Sequence, residues 1–208
     1  MKPFRAFCLA LVLSGVFLSG LAQAAGDPEK GKVLAYTCTG CHGIPFYMNA
    51  YPSYHVPRLG NQNAAYIVAA LTEYKDAKRS HKTMQAQAGS LSRQDMEDIA
   101  AWIASLKGEA NKTERFPEET LAKGKKIAEA VCKNCHGLDG QGINDTYPKL
   151  AGQFSNYMIK ALEDYQSGER QNPIMASFAK TLSEEDIHNI AAYYASLENN
   201  RLTDLHLK

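Results

Sequence analysis

Two short motifs hold the residues best suited to chemistry in this 208-residue chain: Cys38-Thr39-Gly40-Cys41-His42 and Cys132-Lys133-Asn134-Cys135-His136. Two thiols three positions apart can each add to a vinyl group of one haem, and the histidine that follows is placed to ligate the iron. C-x-x-C-H marks c-type haem attachment. Such cysteines could also form zinc knuckles or redox dithiols. Structural zinc takes four N or S ligands, and neither half of the chain offers a second cysteine pair. The pattern therefore predicts two covalently bound haem c groups, held by Cys38, Cys41, Cys132 and Cys135, with His42 and His136 on the irons.

The fifth cysteine, Cys8, falls in an N-terminal segment with the marks of an export signal. Lys2 and Arg5 precede an apolar run from Phe7 to Leu21, and Ala22-Gln23-Ala24 has the A-x-A form of a cleavage site. Residues 1–24 are expected to be removed, leaving Ala25 as the new N-terminus; the alternative is an uncleaved anchor. The run is short against the roughly 20 residues a bilayer span needs. Export by a signal peptide predicts a periplasmic protein of a Gram-negative-type cell. All four remaining thiols are taken by haem, so no disulfide is expected although the compartment would permit one. Lys plus Arg, 23, nearly balance Asp plus Glu, 22, which argues against nucleic acid as a partner. Peripheral contact with a membrane complex stays open.

An internal repeat organises the rest. Shifting the chain by 91 positions lays Pro57-Arg58-Leu59-Gly60-Asn61-Gln62 on Pro148-Lys149-Leu150-Ala151-Gly152-Gln153. The same shift pairs Tyr66 with Tyr157, Tyr74 with Tyr165, Arg79 with Arg170 and Met84 with Met175. The division is a first domain over 25–106, a polar linker over 107–116 and a second domain over 117–208. Units this small bury little apolar surface unaided, so poor folding without haem is expected, with each half closing its own site.

Each half reads as the same series of helices, with no strand signal. Asp27 can cap a helix with Pro28 at its first position, running to about Tyr36; Pro117 and Glu118 open its counterpart towards Ala130. Gly31 and Gly124 are poor helix formers and are read as points of close approach to another helix. Asn63 precedes a middle helix. Ser92 with Asp95, and Ser183 with Asp186, have capping-box spacing ahead of apolar stripes through Ile99 and Ile103, and Ile187 and Ile190.

With these motifs in place, the whole chain after the signal resembles the cytochrome c4 family. The shared marks are the two C-x-x-C-H motifs, the two Pro-[Lys/Arg]-Leu-x-x-Gln signals and the two methionines ahead of Leu-Ser helix starts. The resemblance implies an all-α protein of two tandem cytochrome c-like helical domains, each wrapped around one covalent haem. It implies that Gly31 and Gly124 pack against the last helix of their halves. It also implies that Pro57 and Pro148 accept a hydrogen bond from the haem-ligating histidine, fixing the ring and raising its basicity. The aromatic loop Ile44–His55 is longer than the family pattern.

The sixth iron ligand separates a carrier from an enzyme. A thioether opposite histidine closes the iron and raises its potential. Met84 and Met175 each stand seven residues before a Leu-Ser helix start, in what reads as a loop free to swing over the haem; the repeat register marks them as ligands. Met48, Met96 and Met158 lack counterparts and read as filler or exposed. His55 lacks a counterpart too, and His81 aligns with Asn172, so it reads as a surface residue near the haem edge. His188 and His206 read as structural or solvated. The resulting function is periplasmic single-electron shuttling between respiratory redox partners, with a quinol-oxidising complex or small donor and a terminal oxidase as acceptor implied by the resemblance. The alternatives are a dihaem enzyme of peroxidase or thiosulfate-oxidising type, needing an open iron, and a haem subunit acting only within a larger complex.

Overall fold

The structure, a computed structural model, describes residues 26–107 and 114–206. The expected signal segment lies outside the described residues, as does most of the expected linker. The described residues form helices α1 (Pro28–Leu34), α2 (Tyr36–His42), α3 (Ala64–Lys75), α4 (Lys82–Gly89) and α5 (Arg93–Ser105) in the first half. The second half holds α6 (Glu118–Ile127), a π-helical turn (Ala128–Cys132), α7 (Lys133–His136), α8 (Ser155–Ser167), α9 (Pro173–Ala179) and α10 (Glu184–Ser196). Among the described residues there are isolated β-bridges and no strands, and no helix is long and apolar enough to cross a membrane.

The helix starts follow from local chemistry. Asp27 accepts from the N–H groups of Glu29 and Lys30 with Pro28 in the first turn, covering donors that would otherwise be orphaned. Ser92 and Asp95, and Ser183 and Asp186, form complete capping boxes at α5 and α10. The first and last helices of each half then cross at a glycine. A Cβ on Gly31 would lie 1.9 Å from the Asp98 carbonyl oxygen, and one on Gly124 would lie 2.0 Å from that of Asn189. Only a residue without a side chain allows these crossings.

The opening helices do not end where their periodicity suggests. Both continue into the cysteine motif, with a change of register just before it: a break at Ala35 in the first half and the π-turn in the second. Single π-turns recur at functional sites because they re-aim the residues that follow.

Each half has its own core. Ile67, Val68, Met96, Ile99, Trp102 and Ile103 build the first, joined by Leu205 from the far end of the chain. Met158, Ile190, Tyr193 and Tyr194 anchor the second. The Tyr193 and Tyr194 hydroxyls donate to the carbonyls of Leu138 (2.9 Å) and Gly137 (3.1 Å), giving these buried polar ends the partners they require.

The halves meet through a pseudo-two-fold arrangement built from repeat partners. Arg58 N–H donates to Gln153 Oε1 (2.9 Å) and Gln153 Nε2 to the Arg58 carbonyl (2.9 Å). Lys149 and Gln62 repeat the exchange at 2.8 and 3.0 Å. Arg79 and Arg170 face each other in a bridge at the centre. Arg79 is flanked by Tyr66 and Tyr74, and Arg170 by Tyr157 and Tyr165, with each guanidinium 5.3 to 5.6 Å from the ring centroids. Tyr66 and Tyr157, one turn into helices that read as ordinary amphipathic elements, therefore serve the interface. Asn63 is not a side-chain cap of α3; its amide reaches across to the Tyr147 carbonyl at 2.7 Å.

The expectation that each half closes its own site does not hold. After α10 the chain crosses to the first half, where Thr203 pairs with Gly60 and the Leu205 N–H donates to the His42 carbonyl at 2.9 Å. Leu202 and Leu205 are fully buried, so hydrophobic burial drives the crossing.

Candidate haem-binding sites

In both halves the motif histidine is buried at the end of its helix, and its ring is fixed by a carbonyl. His42 Nδ1 lies 2.8 Å from the Pro57 oxygen, and His136 Nδ1 lies 3.2 Å from the Pro148 oxygen. A carbonyl can only accept, so Nδ1 carries the proton and the Nε2 lone pair is left available to a metal. Burial lowers the pKa of both rings, opposed in part by these hydrogen bonds, which favours the neutral form a metal requires.

The cysteines are half-buried and unpaired with one another. Burial pushes the Cys38 thiol above its usual range, and burial together with the neighbouring Cys135 pushes Cys132 to about 11. A redox dithiol needs a lowered thiol pKa; these shifts run the other way and speak against a dithiol site.

Met84 and Met175 are not in loops. Each sits in the first turn of a short helix whose N-cap bonds to it: His81 Nδ1 accepts from the Met84 N–H at 3.3 Å, and Asn172 Oδ1 from the Met175 N–H at 3.1 Å. Asn172 is a favoured cap residue and Pro173 follows it at the first helical position. At 8 and 7 residues these helices are too short for periodicity to reveal them, and capping is the signal that could have. His81, read from the sequence as a surface residue, is a half-buried capping residue.

In the second half one cavity of ≈ 240 Å³ gathers the expected residues: Cys132, Cys135, His136, Pro148 and Met175 all line it. Leu150, Met158, Leu162, Ile190 and Ala191 supply an apolar wall. An apolar slot with two thiols, an oriented imidazole and a thioether has the donor set that a covalently attached haem needs. In the first half, Thr37 donates to Gln87 at 3.2 Å, which sets the motif helix α2 beside α4, the helix of Met84. Met96 and Met158 are buried and Met48 is exposed.

His55 stacks on Phe154 with centroids 4.4 Å apart and has Nδ1 3.0 Å from Asn156 Oδ1, so the aromatic loop is docked on the second half. Arg58 and Leu205 were missed in the sequence, because their partners are distant in the chain.

The cytochrome c family profile matches residues 28–107 and 121–198. The chain is 37% identical over 199 residues to a cytochrome c4 of Pseudomonas aeruginosa, covering 91% of this chain and 98% of that protein. Identity to cytochrome c4 of Azotobacter vinelandii is 33%, over 91% and 98% of the two chains. The crystal structure of cytochrome c4 from Pseudomonas stutzeri superposes with a TM-score of 0.69 at 31% identity, covering 83% of this chain and all of that one.

Proposed function

The chain belongs to the cytochrome c4 family, carries two covalent haem c groups and transfers electrons; on that premise we propose that it works in the periplasm as a one-electron shuttle between respiratory redox proteins. Residues 1–24 are its cleaved signal, 25–106 and 117–208 its two domains, and 107–116 the linker. Cys38 and Cys41 hold one haem, and Cys132 and Cys135 the other. His42 and Met84, and His136 and Met175, would hold the two irons, with Pro57 and Pro148 orienting the imidazole rings. A quinol-oxidising complex or a small donor feeds the protein, and a terminal oxidase drains it.

When bound, each haem supplies a one-electron iron couple. The protein's part is to hold the imidazoles in one tautomer, exclude water with the two cores, and place a thioether where an open coordination position would otherwise admit a substrate. The observation that carries the reading is the second cavity, where thiols, oriented His136 and Met175 share one apolar wall.

The test is spectroscopic. Both irons should be low-spin, show the weak sulfur-to-iron band when oxidised, and refuse carbon monoxide when reduced. Met84→Ala and Met175→Ala should each remove half of that band. Ready carbon monoxide binding by the unaltered protein would replace the carrier with a dihaem enzyme.

A further inference from the structure

The cavity that holds Cys132, Cys135, His136 and Met175 also has Arg58 of the first half on its wall. Arg58 is 2% exposed, yet its Nε and Nη2 have no hydrogen-bond partner. Nη1 donates to the Gly152 carbonyl at 2.5 Å. The carboxylate closest to it in the ion pairs, Asp204, has Oδ1 3.7 Å from Nε, beyond hydrogen-bonding reach. The guanidinium lies over the Phe154 ring, 3.9 Å from its centroid, and Gln153 holds the main chain on both sides, so the group is fixed away from solvent. A buried donor left without a partner costs about 1–3 kcal/mol, and more when charged.

The other cations on the same wall are satisfied. Arg79 pairs with Glu73 at 2.5 Å and Arg170 approaches Asp164 at 3.7 Å, and both reach tyrosine hydroxyls. Lys149, the repeat partner of Arg58, donates to Asn61 at 2.9 Å. The open fork is therefore specific to Arg58 and is not imposed by the repeat.

We propose that Arg58 is a carboxylate-binding residue of the second site, its free N–H groups taking a carboxylate of whatever fills that cavity. The inference rests on the reading that a haem does so, since a haem brings carboxylate side chains; a free carboxylate anion presents the same chemistry. Arg58 thereby acts across the domain boundary as a positioning residue that neutralises an anion beside the second iron and favours its reduced state.

The experiment uses the dihaem protein with Arg58→Gln and Arg58→Lys. Intact mass and the sulfur-to-iron band first establish that both haems are present and ligated, which tests the underlying reading separately. The potential of each haem is then measured, with the haems assigned from the NMR lines of the two methionine methyl groups. In Arg58→Gln the second haem's Fe(II)/Fe(III) ratio at fixed ambient potential should fall about tenfold, or 59 mV for a one-electron couple, with the first haem unmoved. The resonance Raman bands of the haem carboxylates should shift. Arg58→Lys should recover part of the potential, since it keeps the charge and loses the fork; it also serves if Arg58→Gln does not fold. A wild-type potential that falls with added acetate, in a way Arg58→Gln abolishes, would keep the carboxylate site and assign it to a free anion. Unchanged potentials, or equal shifts at both haems, would overturn the proposal.

Discussion

Replacing Leu205 with alanine should destabilise the first domain, although the residue lies near the end of the chain. Leu205 is 2% exposed and belongs to the core cluster of Ala35, Ile67, Val68, Met96, Trp102 and Ile103. The substitution leaves the main-chain bond from Leu205 to the His42 carbonyl available, so the loss measured is one of packing. Leucine-to-alanine changes at such sites cost about 2–5 kcal/mol, and a value of about 3 kcal/mol fits a side chain enclosed on all sides. If the first domain melts alone, each kcal/mol lowers Tm by roughly 4–8 °C, giving a fall of about 12–24 °C; if both domains melt as one unit, the slope is roughly 2–4 °C and the fall about 6–12 °C. The assay is thermal unfolding of the dihaem protein, following the near-ultraviolet signal of Trp102, which sits in the first core, and the sulfur-to-iron band of each haem. The first domain's signals should be lost earlier than in the unaltered protein. An unchanged Tm, or a loss confined to the second domain's haem, would refute the view that the tail completes the first core.

Gly31→Ala and Gly124→Ala should each destabilise their own domain by about 1–3 kcal/mol or more through overpacking, because the added Cβ meets a backbone oxygen at 1.9 or 2.0 Å; denaturant midpoints would show it. The Ser183 hydroxyl and N–H hold the Asp186 carboxyl below its ordinary pKa. Its contribution is therefore present at neutral pH and is lost as pH falls through that lowered value, so Asp186→Ala should lower Tm at pH 7 and have little effect in strong acid. Intact mass of the exported protein should correspond to a chain starting near Ala25 plus two haems; retention of Met1 or a single haem would contradict the assignment.

The features legible in the sequence were those written in neighbouring residues. Asp27 with Pro28, the two Ser-x-x-Asp boxes and the motif histidines depend on partners within a turn or two. Gly31 and Gly124 were legible as well, because a glycine inside a helix is costly on propensity and implies a compensating contact. The helices of Met84 and Met175 were hidden because, at 8 and 7 residues, they are too short for a periodic face to show. Tyr66, Arg79 and Leu205 were hidden for another reason. Tyr66 meets Arg79 within its own half, but the bridge of Arg79 with Arg170 and the place of Leu205 in the first core depend on segments far away in the chain. No local pattern distinguishes a tyrosine in a domain core from one stacked on an arginine at the domain boundary. Arg58 was in view, within Pro57-Arg58-Leu59, but its burial was not.

The reciprocal exchange of Arg58 with Gln153 and of Lys149 with Gln62 has the form of an isologous contact between two copies of one chain. Here the copies are covalently tethered, so their association is unimolecular. A short tether gives an effective concentration in the millimolar range, and the contact does not weaken as the protein is diluted. The tether also lifts a constraint that binds every true homodimer, in which a change on one subunit must appear on both. Each copy can be altered alone. The aromatic loop at 44–55 exists only in the first, and the crossing segment at 201–206 leaves only from the second. Two iron environments with different surroundings can therefore be held at a fixed spacing in one small protein.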